Sequence, residues 1–229
     1  SSIFEKLKMR RFIGVIVALV MSILTNAQSD VDPMQYFGKG QIMPVSLDSG
    51  KLVSVRVGTS TTNGSFRNVF EPKRQSVYSV KAVGRTAIKD NLSAGGEFVY
   101  KYYDRREQCW SMLTFAQSNP FFLADNQPGN QVSAFYALKG NILYKPVDGL
   151  LRMGGECHFL ATSTAKQKDI RNKNVYSSYT IRPMLGMKIG KSVVMLAYGY
   201  SSVAEDVSIS RFGNDKTIWI NSVEVLWFG

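Results

Sequence analysis

The chain has 229 residues, 28 Lys and Arg against 17 Asp and Glu, one His, two Cys and 12% aromatic residues. That length fits one domain or a piece of one, and the aromatic content excludes a disordered chain. One His and two widely separated Cys exclude a disulfide scaffold and a standard four-ligand zinc cluster, so no metal and no other cofactor is expected.

Residues 1–8 precede Met9 and are read as an upstream remnant. Met9-Arg10-Arg11 then forms a charged leader, Phe12 to Leu24 an apolar run, and Ala27 the small residue of a cleavage site. Residues 9–27 therefore read as a secretory signal peptide. The run is shorter than the ~18 residues a spanning helix needs, and no Cys follows it to carry a lipid anchor. Processing removes Lys6, Lys8, Arg10, Arg11 and Glu5, which leaves 24 basic against 16 acidic residues, a net charge of +8. A basic exported chain without a run of Arg and Lys interleaved with aromatics is not expected to bind nucleic acid. The acidic partners open to it are lipopolysaccharide phosphates, polyanionic glycans and small anionic solutes. Residues 28–51 read as a periplasmic N-terminal segment.

From residue 52 onward apolar and polar residues alternate with a period of two, interrupted by turn residues. Eight strands are expected, at 52–58, 77–87, 92–102, 133–144, 151–162, 176–188, 193–202 and 218–228. In the clearest, Leu151, Met153, Gly155, Cys157, Phe159 and Ala161 fall on one face, and Arg152, Gly154, Glu156, His158 and Thr162 on the other. The connections between these strands alternate long and short: 59–75, 88–91, 103–132, 145–149, 163–175, 189–192 and 203–217. Such alternation belongs to an antiparallel up-and-down barrel with tight turns on one rim and long loops on the other.

The facing supports the same architecture. Arg56, Lys81, Arg85, Glu97, Lys101, Lys139, Arg152, Glu156, Arg182, Lys188 and Glu224 share their faces with Ser, Thr, Gly or Asn, and the opposite faces are mostly Val, Leu, Ile, Met, Ala and Tyr. In hydrocarbon the backbone of such a sheet must close on itself. The mean hydropathy of -0.09 is then an average over lipid-facing and water-facing positions. Tyr102, Tyr103, Tyr144, Tyr198, Tyr200, Trp219 and Trp227 stand where interfacial girdles are expected. A secreted β-sandwich also alternates faces, but it predicts shorter strands and no systematic alternation of loops. The fold expected is an all-β, antiparallel up-and-down transmembrane β-barrel over 52–229, with about eight strands, located in the outer membrane.

The longest loop carries Cys109-Trp110-Ser111 and then the run Asn119-Pro120-Phe121-Phe122-Leu123-Ala124-Asp125-Asn126-Gln127-Pro128-Gly129, followed by Tyr136-Ala137-Leu138-Lys139-Gly140. Over roughly residues 36–229 this resembles the Bacteroidota outer-membrane β-barrel proteins grouped as the domain of unknown function 6850. Their loop reads W…P(Y/F)xxADSxGG before a strand YxLxG. Asn126 here replaces the usual Ser, and Pro128 the first Gly. The resemblance implies location and fold rather than an activity. Members of that family are generally longer, so this chain is expected to be an amino-terminal portion of a larger barrel, with a closed eight-stranded barrel as the alternative.

His158 is the single histidine, so any histidine-based acid, base or nucleophile scheme rests on it. Glu156 on the same face allows a contact but makes no triad, and a lumen hydrogen-bond network is the expected role, with no catalytic residues. Cys109 and Cys157 are expected to remain unpaired thiols. Gly95-Gly96 and Gly154-Gly155 open no helix after a strand, which a phosphate loop requires, and mark bends or close approach instead. The polar faces hold Arg56, Lys81, Arg85, Lys101, Lys139, Arg152, Arg182 and Lys188 against Glu97, Glu156 and Glu224. With His158, those basic groups and Glu156 are the candidate lumen-binding residues, because a basic interior walled by low dielectric concentrates anions. Trp110, Phe121, Phe122 and Asp125 are the loop-binding candidates. The function expected is a non-enzymatic barrel that passes, binds or helps import a solute through a basic lumen, which would suit an anionic one, in contact with outer-membrane lipid, lipopolysaccharide and an outer-membrane import partner. The alternatives are a surface protein that binds a partner protein or glycan through its long loops, and a barrel enzyme built on His158.

Overall fold

The computed structural model describes residues 51–110, 112–115, 123–146, 150–168, 171–189, 192–210, 216–220 and 223–227. The expected signal peptide and most of the expected periplasmic segment fall on 1–50, outside the described residues. The strands are β1 Leu52–Asn63, β2 Arg74–Lys89, β3 Leu92–Gln108, β4 Leu123–Ala124, β5 Gly129–Tyr144, β6 Leu151–Lys166, β7 Arg171–Ile189, β8 Ser192–Ala197, β9 Tyr200–Ser210, β10 Lys216–Ile220 and β11 Val223–Trp227. Among the described residues there is no helix.

An eight-stranded antiparallel sheet runs β1-β2-β3-β5-β6-β7, with both β8 and β9 on the far side of β7. β8 pairs with the Met184–Ile189 end of β7, and β9 with its Arg171–Ile181 end. They are one strand interrupted opposite Pro183. Pro183 has no N–H to give to a ladder, but its carbonyl still accepts from the Tyr198 N–H at 3.2 Å. The all-β, up-and-down meander expected from the alternation is present, but the ladder is not closed into a barrel. Among the described residues β1 pairs only with β2, and β8 and β9 only with β7. β1 and β9 both run away from the tight-turn rim, so direct pairing of these two edges would be parallel.

Three sequence expectations are corrected. The strands extend beyond their expected ends, to Asn63, Gln108, Lys166 and Ser210 at one rim, and β5 and β7 start earlier, at Gly129 and Arg171. Strict alternation of loop length is lost with them, since β6 and β7 are joined by 167–170 while the opposite-rim connection 145–150 is longer. The eighth expected strand, 218–228, does not join the sheet. It is split into the hairpin β10–β11, and β10 pairs with β4 through Trp219↔Ala124 and Ile220↔Leu123. These three short strands form a second sheet at the long-connection rim.

The two faces of the large sheet have opposite surroundings. On the bare face one register row reads Val55, Ala82, Phe98, Leu138, Phe159 and Tyr179. Leu138 is 49% exposed and Phe159 44%. Their sequence neighbours on the covered face, Ala137 and Leu160, are 2% and 0% exposed. Val99, Tyr103, Phe135, Ala137, Leu160 and Tyr176 form the packed cluster of that covered face, joined by Val77 and Phe115. Tyr103 therefore belongs to the core and not to an outer girdle, because it has the opposite parity to Tyr102. Tyr102, Tyr144, Tyr198 and Tyr200 do lie on the bare face, although Tyr200 stands at mid-strand opposite Ile181. The side chains of Trp219 and Trp227 lie outside the described residues.

Candidate functional site: a charged, covered sheet face

The strand register brings most of the candidate lumen residues onto one face. Arg56 lies opposite Lys81. The next row reads Glu97, Lys139, His158 and Thr180, and the row below it Arg85, Gly95, Asn141, Glu156 and Arg182. Lys101, Arg152 and Lys188 have the same parity as these rows. Glu224 is the exception, since it falls in β11 of the small sheet.

Within this face the acids lie between the cations. Lys81 Nζ is 2.9 Å from Glu97 Oε2. Glu156, whose side chain is 5% exposed, has Arg182 Nη1 at 3.3 Å and His158 Nε2 at 3.6 Å. A carboxylate this deep is stable only with such partners. The single histidine thus stands beside a glutamate two residues away in its own strand, with Lys139 and Thr180 opposite it on the neighbouring strands. Lys101 extends over the Phe135 ring, 6.0 Å from its centroid. At the tight-turn rim Lys145, Arg152 and Lys188 crowd together. Partial burial, then the Arg152 and Lys188 cations, push the Lys145 ammonium below the ordinary lysine value.

Glycines fit side chains and backbone into this surface. A Cβ on Gly95 would stand 2.7 Å from Asn141 Oδ1, and one on Gly154 2.7 Å from the Ile142 carbonyl oxygen. Both pairs contain a position of close approach, as glycine inside a long strand implies. Both thiols are free, with Cys157 exposed on the bare face and Cys109 half-buried at the long-connection rim. Burial, the largest influence, raises the Cys109 thiol above its ordinary value.

The loop candidates have different fates. Phe121 and Phe122 lie outside the described residues. Trp110 has a left-handed backbone, φ 58°, and its N–H donates to the Asp125 carbonyl at 2.7 Å. Asp125 is fully buried. Its Oδ1 accepts from Lys166 Nζ at 2.5 Å and from the Gln127 N–H at 2.9 Å. Lys166 also donates to the Gln127 carbonyl at 2.6 Å. Gly129 lets Lys166 pass, since a Cβ there would stand 2.7 Å from Lys166 Cε. The Asp125 to Gly129 part of the loop motif is thus a structural clasp around one lysine.

Further polar groups of the covered face lie in the strand extensions, where hydropathy alone predicts loops. Arg105 donates to Gln75 at 2.8 Å and to Ser133 at 3.0 Å, and stacks 4.6 Å from the Tyr103 ring centroid. Asn172 donates to the Met112 carbonyl at 3.0 Å, and Asn174 donates to the same oxygen. Glu205 accepts from the Thr114 N–H at 2.7 Å and from Asn174 at 3.2 Å. The signal that could have found them is the alternating run Arg171-Asn172-Lys173-Asn174, periodic in side-chain size but not in hydropathy. The connection Gly64–Lys73 also carries surface features that strand periodicity does not reveal. It exposes Phe66, Val69 and Phe70 while Gln108 Nε2 holds the Phe70 carbonyl at 2.7 Å.

A model of the family of unknown function DUF6850 matches residues 43–221 of this chain. Comparison with the curated proteins and with the solved structures finds no match.

Proposed function

The chain belongs to the family of unknown function DUF6850, and from the facing of its strands we propose that it builds the wall of an outer-membrane β-barrel whose basic lumen binds or passes an anionic solute. The observation that carries this reading is the inversion of the two faces. Large apolar side chains stand exposed on one face, while most of the charged mid-strand side chains lie on the other face, half-buried or buried. A soluble sheet does the opposite, and contiguous apolar patches this broad mark contact with another apolar phase.

The dimensions support a bilayer as that phase. On the bare face of β3 the positions Leu92, Ala94, Gly96, Phe98, Tyr100 and Tyr102 are uncharged, and Asp104 ends the series. Ten residues at ~3.3 Å each, tilted by about 40°, give an apolar band roughly 25 Å tall, the height of an outer-membrane barrel band. Among the described residues no helix is long and apolar enough to cross a membrane. In hydrocarbon the two open edges must be satisfied, by an odd number of further strands if the ladder remains antiparallel. Outer-membrane lipid and lipopolysaccharide are then the surroundings of the band, and an outer-membrane import component is a partner for the rims.

The lumen is non-enzymatic in this reading, because the Glu156 carboxylate near His158 is shared with Arg182 and, among the described residues, no triad is assembled around the histidine. Anion preference follows from eight basic residues facing Glu97 and Glu156. The test is reversal potential in planar bilayers under a salt gradient. Anion selectivity is expected, and Lys139→Glu should move the reversal potential toward the cation side. Channels whose selectivity ignores Lys139→Glu would remove the lumen assignment. A second reading, surface binding of a partner protein, is favoured by Phe66, Val69 and Phe70, presented at the long-connection rim on a hydrogen-bonded loop.

A further inference from the structure

We propose that the described parts of the β3–β5 connection, together with β10 and β11, form a movable plug seated on the covered face, with the Lys166–Asp125 pair as its latch. The seat does not rest on the proposed lumen; only its consequence for solute passage does.

The plug is held together by its own main chain. β4 pairs with β10, and β10 with β11. The Trp110 N–H donates to the Asp125 carbonyl at 2.7 Å, and the Met112 N–H to the Leu123 carbonyl at 3.1 Å. Among the described residues this small sheet pairs with no strand of the large one. Lifting it would break no β-ladder.

The seat, by contrast, is made by side chains. Asn172 and Asn174 of β7 both donate to the Met112 carbonyl, and Glu205 of β9 accepts from the Thr114 N–H. Lys166 at the end of β6 holds Asp125 and the Gln127 carbonyl. Among the described residues the apolar contacts are those of Met112 and Ile218 with Leu123 and Ile209, and of Phe115, which packs edge-on to Tyr176 with centroids 4.8 Å apart. Asn172, Asn174, Glu205 and Ile209 belong to the covered face by register, so the plug lies over its long-connection end.

Two features suit this seat to release. Among the described residues Asp125 Oδ2, Asn172 Oδ1 and Thr114 Oγ1 are buried without a protein hydrogen-bond partner. Water that reaches these atoms on undocking hydrates them and offsets part of the cost of breaking the seat. The latch is a fully buried ion pair, with 1% and 0% exposed side chains, a kind of contact that fixes position more than it adds net stability, because both charges lose their hydration. A plug meant to be permanent is better held by apolar side chains of the same volume.

The test is amide hydrogen exchange of the full chain in phospholipid vesicles, read separately on 109–115, 123–129 and strands β5 to β7. Lys166→Met is expected to accelerate exchange in 123–129 at least tenfold while β5 and β6 keep their protection. Asn174→Ala, which leaves the latch intact, should do the same for 112–115. Acceleration of plug and strands together in both variants, or of neither, overturns the proposal. Vesicle swelling in arabinose and in gluconate is measured on the same samples. Released plugs with faster swelling support both plug and passage. Released plugs with unchanged swelling keep the plug and count against passage through the lumen.

Discussion

Leu138→Arg separates a membrane wall from a soluble sheet. Leu138 lies on the bare face between Phe98 and Phe159, opposite both by register, and is 49% exposed. Val132 shares its strand and face, opposite Asp104, six residues nearer the long-connection rim. Six residues at ~3.3 Å, tilted by about 40°, place Leu138 roughly 15 Å deeper than Val132, close to the midplane of a 25–30 Å band. An arginine at that depth costs about 2–4 kcal/mol, and near the interface about 0–1 kcal/mol. The first cost shifts the folding equilibrium roughly 30- to 700-fold. In a water-exposed sheet the same replacement of a half-exposed leucine should stay within about 0.5 kcal/mol. Reversible guanidinium unfolding in lipid vesicles, followed by tryptophan fluorescence, measures the difference. A Leu138→Arg loss no larger than that of Val132→Arg would falsify the depth argument and with it the membrane wall.

The remaining predictions test particular contacts. In intact vesicles a charged thiol reagent should leave Cys157 unmodified while a lipid-soluble maleimide labels it; equal labelling by both would place that face in water. Cys109 should react more slowly than a free thiol at neutral pH and accelerate as pH rises past the ordinary thiol value, because burial raises its thiol and only the thiolate attacks. A pH–rate curve matching free cysteine would contradict that burial. Gly154→Ala places a Cβ 2.7 Å from the Ile142 carbonyl oxygen, where little can move, whereas Gly84→Ala meets nothing within 4 Å. The first should cost about 1–3 kcal/mol and the second less than about 0.5 kcal/mol in the same unfolding assay. Glu156→Gln leaves Arg182 without its carboxylate and should strengthen anion selectivity in planar bilayers; an unchanged reversal potential would show that Glu156 faces no conducting path.

The fold was legible where the two faces of a strand differ. Leu151 to Ala161 on one face and Arg152 to Thr162 on the other gave β6 its position and both of its facings. Beyond Thr162 the run Ser163-Thr164-Ala165-Lys166 is polar or small on both faces, so hydropathy lost its period although the ladder continues to Lys166. The same fading hid the ends of β3, β7 and β9, and with them Arg105, Asn172, Asn174 and Glu205. Tyr103 was misplaced for a related reason: in the pair Tyr102-Tyr103 composition cannot say which ring turns inward, and only the register decides. The strand 218–228 failed differently. Its alternation is real, but it falls into two short strands, β10 and β11, that pair with each other, and its partner β4 is a two-residue segment no periodicity can announce.

The sequence by itself determined the β class, the meander, the placement of ten of its eleven charged mid-strand residues on one face of the sheet and of the large apolar ones mostly on the other. Each follows from the two-residue period of a strand, which any single strand records without its neighbours. Tertiary structure alone decided that the ladder of described strands is open, that Asp125 is clasped by Lys166, and that Met112, Thr114 and Leu123–Ala124 of the β3–β5 connection meet β7, β9 and β10. Those facts join residues 41 or more positions apart, such as Lys166 with Asp125, Thr114 with Glu205 and Leu123 with Ile220. Contacts across such separations depend on how far each strand runs before it turns, which local hydropathy does not encode once both faces are polar.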